Sequence, residues 1–124
     1  MNLHGTVRMM ELARKMSKLE VFVHVSTAYS HCYMNTIEEK FYVGDLHSQE
    51  EFWDMVLSND EHMKIDDLQK YSNTYTCSKS ITESYISRNC LDLPVVIVRP
   101  SVICASWKEP IPGWVDNYNA LTGK

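Results

Sequence analysis

Apolar residues in the first seventeen positions recur at intervals of three and four. Leu3, Val7, Met10 and then Ala13 or Met16 form one stripe, which predicts an amphipathic helix over residues 2–17. Arg8, Arg14, Lys15 and Lys18 lie off the stripe or near its C-terminal end, where cations suit the negative pole of the helix dipole. The period then changes. Glu20 to Ser26, EVFVHVS, is β-branched, aromatic and almost continuously apolar, which predicts a strand buried on both faces of a parallel sheet. Pro94 to Val98, PVVIV, predicts a second strand of the same kind. Between them, Thr74 to Asn89 holds neither Gly nor Pro and predicts a helix with Ile81, Tyr85 and Ser78 or Thr82 on one side.

Parallel strands joined by helices indicate the α/β class with a doubly wound sheet. The connection from residue 27 to residue 93 is far longer than the dozen or so residues a helical crossover needs. An insert is expected at about 34–70. Between 38 and 67 the chain carries ten acids and two bases, net −8 in a chain of total −4, so the remainder carries +4. Residues 49–57, QEEFWDMVL, predict a short helix burying Phe52, Met55 and Val56, with the acids as its solvated face. After the second strand, Pro110, Pro112 and Gly113 exclude a long regular element. That segment is expected as a loop at the C-terminal edge of the sheet, where open α/β sheets bind ligands.

Composition narrows the function. The chain has 124 residues, 44% hydrophobic and 23% charged, the balance of one small globular domain. A net charge of −4 argues against nucleic acid as the main partner. The only glycines are Gly5, Gly44, Gly113 and Gly123, so no GxGxxG or Walker A loop is present. Cys32, Cys77, Cys90 and Cys104 show no CxxC or zinc spacing, and the first fifteen residues do not read as a signal peptide. Reduced thiols and an intracellular setting are expected. No apolar run approaches the roughly 20 residues of a membrane span. His24 reads as a paired core histidine. His31 beside Cys32 is poor metal geometry, His4, His47 and His62 are scattered, and no metal is assigned. The methionines read mostly as core filler. Trp107 and Trp114 flank the proline turn, where they could line an apolar channel, touch a membrane surface or pack against further chain.

The candidate chemistry lies in the second helix. Tyr75 and Lys79 form Tyr-x-x-x-Lys, a spacing that puts both on one face. A neighbouring ammonium stabilises a phenolate, so such a pair can give or take a proton at a carbonyl or hydroxyl oxygen. The bland reading is a helix-face hydrogen bond, and the spacing alone arises easily by chance. Ser26 and Thr27, at the tip of the first strand, could bond a substrate oxygen, or could cap the following turn. Strand, hydroxyl tip, Tyr-x-x-x-Lys helix and second strand together make a far more demanding pattern than either motif.

This order resembles the short-chain dehydrogenase/reductase superfamily, in particular its extended branch, whose Asn-x-x-Gly-Thr-x-x-x-Leu helix is similar to NLHGTVRMMELA. LEVFVHVSTAYS, IEEKFY, NTYTCSKSITE, LPVVIVRPSVICASWKEPIPGWVDN and NALTGK resemble the fatty acyl-CoA reductases. RPS followed by SWKEPIPGW is the most specific element. The likeness covers nearly the whole chain and is loose over residues 45–70.

The resemblance implies a partial NAD(P)-binding reductase domain over residues 1–124, the C-terminal part of a Rossmann-type sheet. It implies an oxidoreductase that reduces long-chain acyl-CoA with NADPH, through an aldehyde, to a primary alcohol. Thr27 or Ser26 would hold the thioester carbonyl oxygen, Tyr75 would protonate it, and Lys79 would support Tyr75 and bind the nicotinamide ribose. Asn2 would correspond to the family's helix asparagine. Pro100, Ser101 and Val102 would lie against the nicotinamide carboxamide. The resemblance also implies a peroxisomal or endoplasmic reticulum setting on the cytosolic face. The family's glycine-rich turn would precede Asn2 and its C-terminal domain would follow Lys124, so the chain reads as a fragment, expected to hold NADPH weakly and to be inactive alone. A nucleotide-sugar epimerase, a hydroxysteroid dehydrogenase or a non-catalytic interaction module are the alternatives.

Overall fold

A computed structural model of the chain describes residues 2–42 and 70–116. Most of the acidic insert, the helix expected over 49–57 and the NALTGK end lie outside the described residues. The elements are α1 (Asn2–Ala13), β1 (Phe22–Val25), α2 (Thr74–Asn89) and β2 (Val95–Val98). The strands pair in parallel, with Phe22 opposite Val95 and Val25 opposite Val98. The pairing runs past both strand ends, through Ser26 N–H to the Val98 carbonyl and Ala28 N–H to the Pro100 carbonyl, each at 2.8 Å. The chain is therefore α/β, as its apolar pattern predicts.

α1 ends earlier than its stripe. Past Ala13, Lys15 and Met16 donate to the carbonyls of Leu12 and Ala13, three residues back, a tightened turn that stops the helix. Arg14 then reaches across to Asp92, its Nε 2.8 Å from Oδ2, and ties this corner to the connection between α2 and β2. Met16 consequently lies exposed, as does Met9, so of the α1 methionines only Met10 is core.

α2 starts where Asn73 caps it, its side-chain oxygen accepting from Thr76 N–H at 2.9 Å. This satisfies one of the orphan donors of the first turn. The buried face of α2 is unusually polar, with Thr76, Ser80, Thr82, Glu83, Ser84 and Ser87 beside Cys77, Ile81 and Ile86. Hydroxyls there bond locally, as Thr82 to the Ser78 carbonyl at 2.7 Å and Ser87 to the Ser84 carbonyl at 2.9 Å.

Both helices lie on one face of the sheet. Leu3 meets Cys77 and Ile81 between them, flanked by Val7, Tyr71 and Tyr85. Met10, Ile86 and Cys90 form a second cluster that the inward side chains Phe22, Val95 and Ile97 cover. The opposite face carries Val21, Val23, Val25, Val96 and Val98, all roughly half-exposed. The expectation of strands buried on both faces is thus corrected for the described residues. A continuous β-branched run fits a two-sided strand, but only one layer of helices here covers it. The cysteines are unpaired. Burial pushes the thiols of Cys77, to about 11, and Cys90 upward, which leaves them inert core residues.

Candidate functional site

The C-terminal ends of β1 and β2 gather most of the residues singled out in the sequence. Lys79 donates from Nζ to the carbonyl of Val25, the last residue of β1, at 2.8 Å. Tyr75 lies one turn earlier on the same face and is half-exposed at 52%. The capped first turn of α2 therefore presents a phenol to solvent beside the strand tip. Asn2, at the start of α1, reaches neither of them directly. Its side-chain amide donates to Ser78 Oγ at 2.9 Å, and Ser78 in turn donates to the carbonyl of Tyr75 at 2.8 Å.

Ser26 and Thr27 follow Val25 but are both buried. The Thr27 hydroxyl accepts from Tyr29 N–H at 3.3 Å, and Ser30 N–H bonds the Thr27 carbonyl at 3.1 Å. Thr27 thus caps the turn after β1. The Ser26 hydroxyl approaches the Glu83 carboxylate and helps keep it ionised, without reaching full hydrogen-bond geometry. Pro100 is half-buried and accepts from Ala28, while Ser101 and Val102 follow in the exposed loop. That loop holds no regular element through Asp116, and Trp107 and Trp114 are both exposed in it.

The sequence reading missed what lies directly beneath. Glu83 continues the Tyr75 and Lys79 stripe one further turn, and its side chain is 1% exposed. His31 Nε2 lies 3.0 Å from its Oε2, and Arg99 grips it with Nε at 3.1 Å from both oxygens and an Nη nitrogen at 2.7 Å. Burial pushes the Glu83 carboxyl up, but the bonds from His31 and Arg99 outweigh it and bring it down to about 2. His31 therefore belongs to a buried polar cluster. The one signal in the sequence is the i, i+4, i+8 spacing of Tyr75, Lys79 and Glu83, with an arginine closing PVVIV.

His24 is buried as expected, yet its Nε2 finds no partner among the described residues. Burial first, and then the Lys79 ammonium, hold its imidazole below the usual range, so it is neutral near pH 7. No group of three His, Cys, Asp or Glu side chains suited to a metal occurs among the described residues.

A groove of about 600 Å³ runs elsewhere, along the outer edge of β2, lined by Ala28, residues 37–41 and Val95 to Arg99. Its wall is the β2 edge, unpaired among the described residues, and not the Tyr75 and Lys79 face.

The profile of the Male sterility protein family, an NAD-binding class, matches residues 1–123. The chain belongs to this family. Fatty acyl-CoA reductase 1 of Xenopus laevis is 41% identical over 99% of the chain, and Fatty acyl-CoA reductase wat of Drosophila melanogaster 36% over 98%. Human Fatty acyl-CoA reductase 2 is 34% identical over 99%. The chain spans 24% of the length of each of these relatives. The sheet is accordingly part of a Rossmann-type NAD-binding layer, and the family implies a nicotinamide cofactor. The residues present fit one end of such a group. Tyr75 offers an exposed hydroxyl, and Val25 takes one of the three donors of Lys79. Both stand at the open C-terminal end of parallel strands, the edge where such sheets bind ligands.

Proposed function

We propose that this chain supplies the acid–base residues of an NADPH-dependent, alcohol-forming fatty acyl-CoA reductase. The observation that carries the reading is the bond from Lys79 to the Val25 carbonyl, which fixes the Tyr75 turn at the end of β1. Support comes also from the reductase names of the relatives that align along almost the whole chain.

In this reading Tyr75 gives its proton to the carbonyl oxygen of a long-chain acyl thioester. The ammonium of Lys79, one helical turn away, offsets the charge left on the phenol oxygen. As the C–S bond breaks, the hydroxyl proton would return to the Tyr75 phenolate and the departing CoA thiolate would take a proton from solvent, so that Tyr75 can protonate the aldehyde in the second reduction. Lys79 and Tyr75 would hold the ribose of NADPH, and Pro100 to Val102 its carboxamide. NADPH, when bound, supplies the hydride, while the protein supplies orientation and electrostatics. The Ser26 and Thr27 hydroxyls are the candidate partners of the substrate oxygen, and Thr27 would turn from its Tyr29 contact to serve.

The test is made in the full-length protein with a long-chain acyl-CoA and NADPH, with alcohol as the measured product. Tyr75→Phe is expected to abolish alcohol formation and leave nucleotide affinity, measured by calorimetry, within about threefold. Alcohol formation near the parent rate in that variant overturns the reading.

A further inference from the structure

Tyr75, Lys79 and Glu83 stand at successive turns of one face of α2, and this stripe descends from solvent into the interior. Tyr75 is half-exposed and Glu83 fully buried. At the buried end a single carboxylate collects two loops. Arg99 is the first residue after β2, and it forks onto both Glu83 oxygens. His31 closes the turn after β1, and its Nε2 meets Glu83 Oε2 at 3.0 Å.

Between those anchors lie the residues that face the proposed substrate. Thr27 sits between two rungs of extended pairing, Ser26 with Val98 and Ala28 with Pro100. The turn from Thr27 to His31 is thus held by backbone pairing at its start and by Glu83 at its end. The far side of Arg99 bonds the carbonyls of Glu38 at 3.4 Å and Lys40 at 3.0 Å, and its guanidinium lies 5.3 Å from the Tyr42 ring. His31 packs against that same ring at 4.6 Å and bonds the Tyr33 hydroxyl at 3.1 Å.

A buried ion pair is a poor way to stabilise a fold, because desolvating two charges offsets much of their attraction. What this cluster supplies is direction. A planar fork fixes the angle at which Arg99 leaves β2, and the third ligand fixes His31 against the same atoms.

We propose that Glu83 is a positioning residue: its carboxylate locks the loops leaving β1 and β2 onto α2 and so sets Thr27 and Pro100 against Tyr75 and Lys79. The proposal rests on the assignment of Tyr75 and Lys79 as the reacting pair. Glu83 touches no substrate. It acts through His31 and Arg99.

The experiment uses the full-length protein. Removing Glu83 alone strands the Arg99 charge, so the principal variant is the neutral pair Glu83→Gln with Arg99→Gln, and Arg99→Lys is the conservative comparison. Turnover and KM with a long-chain acyl-CoA and NADPH are measured beside amide hydrogen exchange. For the neutral pair, kcat should fall on the order of 10²-fold, as small misplacement of reacting groups does, with KM for NADPH within about threefold. Exchange should quicken at residues 27–34 and 99–102 and stay unchanged across the interior of α2. Arg99→Lys, which keeps the charge and loses the fork, should recover part of kcat. A kcat within about threefold of the parent, or exchange unchanged in those two loops, overturns the proposal. If the parent protein itself reduces no acyl-CoA, the functional reading fails, and the exchange of the two loops alone decides whether Glu83 locks them.

Discussion

Lys79 donates to the carbonyl of Val25 at 2.8 Å, so the helix that carries Tyr75 is bonded to the last residue of the strand that leads into Thr27. One side chain thus links the three residues on which the proposed chemistry depends. Its loss has separable effects. Lys79→Met deletes the donor and the charge while keeping much of the apolar stem. The lost bond should cost about 1 kcal/mol, a fall of a few degrees in Tm. Turnover should drop at least about 10²-fold, the scale of a lost acid–base contribution. Thermal unfolding and steady-state rates on the same preparation check both, and a rate loss no larger than the stability loss implies would deny Lys79 its part in the chemistry.

Asn73 sets where α2 starts, and therefore where Tyr75 sits. Its side-chain oxygen holds Thr76 N–H at 2.9 Å. Asn73→Ala should destabilise the protein by about 1 kcal/mol, whereas Asn73→Asp or Asn73→Ser should remain close to the parent, because either can accept the same bond. Chemical denaturation midpoints rank the three variants. Faster amide exchange at Thr76 in the alanine variant would locate the effect in the first turn.

The span of α2 was legible because Thr74 to Asn89 lacks Gly and Pro, whereas the Asn73 cap that fixes its start emerges only in the structure. The strands were legible as runs of β-branched residues, but not their one-sided burial, since such a run looks the same whether one face or two are covered. α1 was read too long because its apolar stripe continues to Met16, while Arg14 is drawn off to Asp92, a partner 78 residues away. Tyr75 and Lys79 are visible because their relation is local, four positions on a helix. The buried cluster is not. Its pairings span 52 residues from His31 to Glu83 and 16 from Glu83 to Arg99, and only tertiary packing brings them together. The same packing turns Thr27 inward, where it caps the following turn, one of the two roles open to it in HVSTAYS.

Acid should loosen this cluster. The Glu83 carboxyl moves from its ordinary value of 4.5 to about 2 in the folded protein. A depressed carboxyl contributes its full stabilisation above the unfolded value, and loses it as pH falls through the folded value. Tm should therefore decline between about pH 4.5 and about pH 2 as His31 and Arg99 lose their charged partner. The neutral pair Glu83→Gln with Arg99→Gln should show a shallower decline over that window. Scanning calorimetry at several pH values compares the slopes, and equal slopes would mean that other carboxylates govern the acid transition.

Gly113 closes the loop between the two exposed tryptophans. Its φ is +82°, in the left-handed region that L side chains rarely adopt. Its N–H bonds the Ser106 carbonyl, and Ser106 N–H bonds the Trp114 carbonyl, both at 2.9 Å. A Cβ added there meets no atom within 4 Å, so the cost of substitution is conformational rather than steric crowding by neighbours. Gly113→Ala should carry a strain of about 1–2 kcal/mol, and Gly113→Asn less, since asparagine visits this region more readily. A β-branched valine should be the worst of the three. Because the loop lies outside both core clusters, the strain should open it locally and leave the global transition almost unmoved. Limited proteolysis within residues 106–114 should accelerate in the order Asn, Ala, Val, with Tm shifting by no more than a degree or two. A large loss of Tm in Gly113→Ala would instead show that this loop packs as part of the fold.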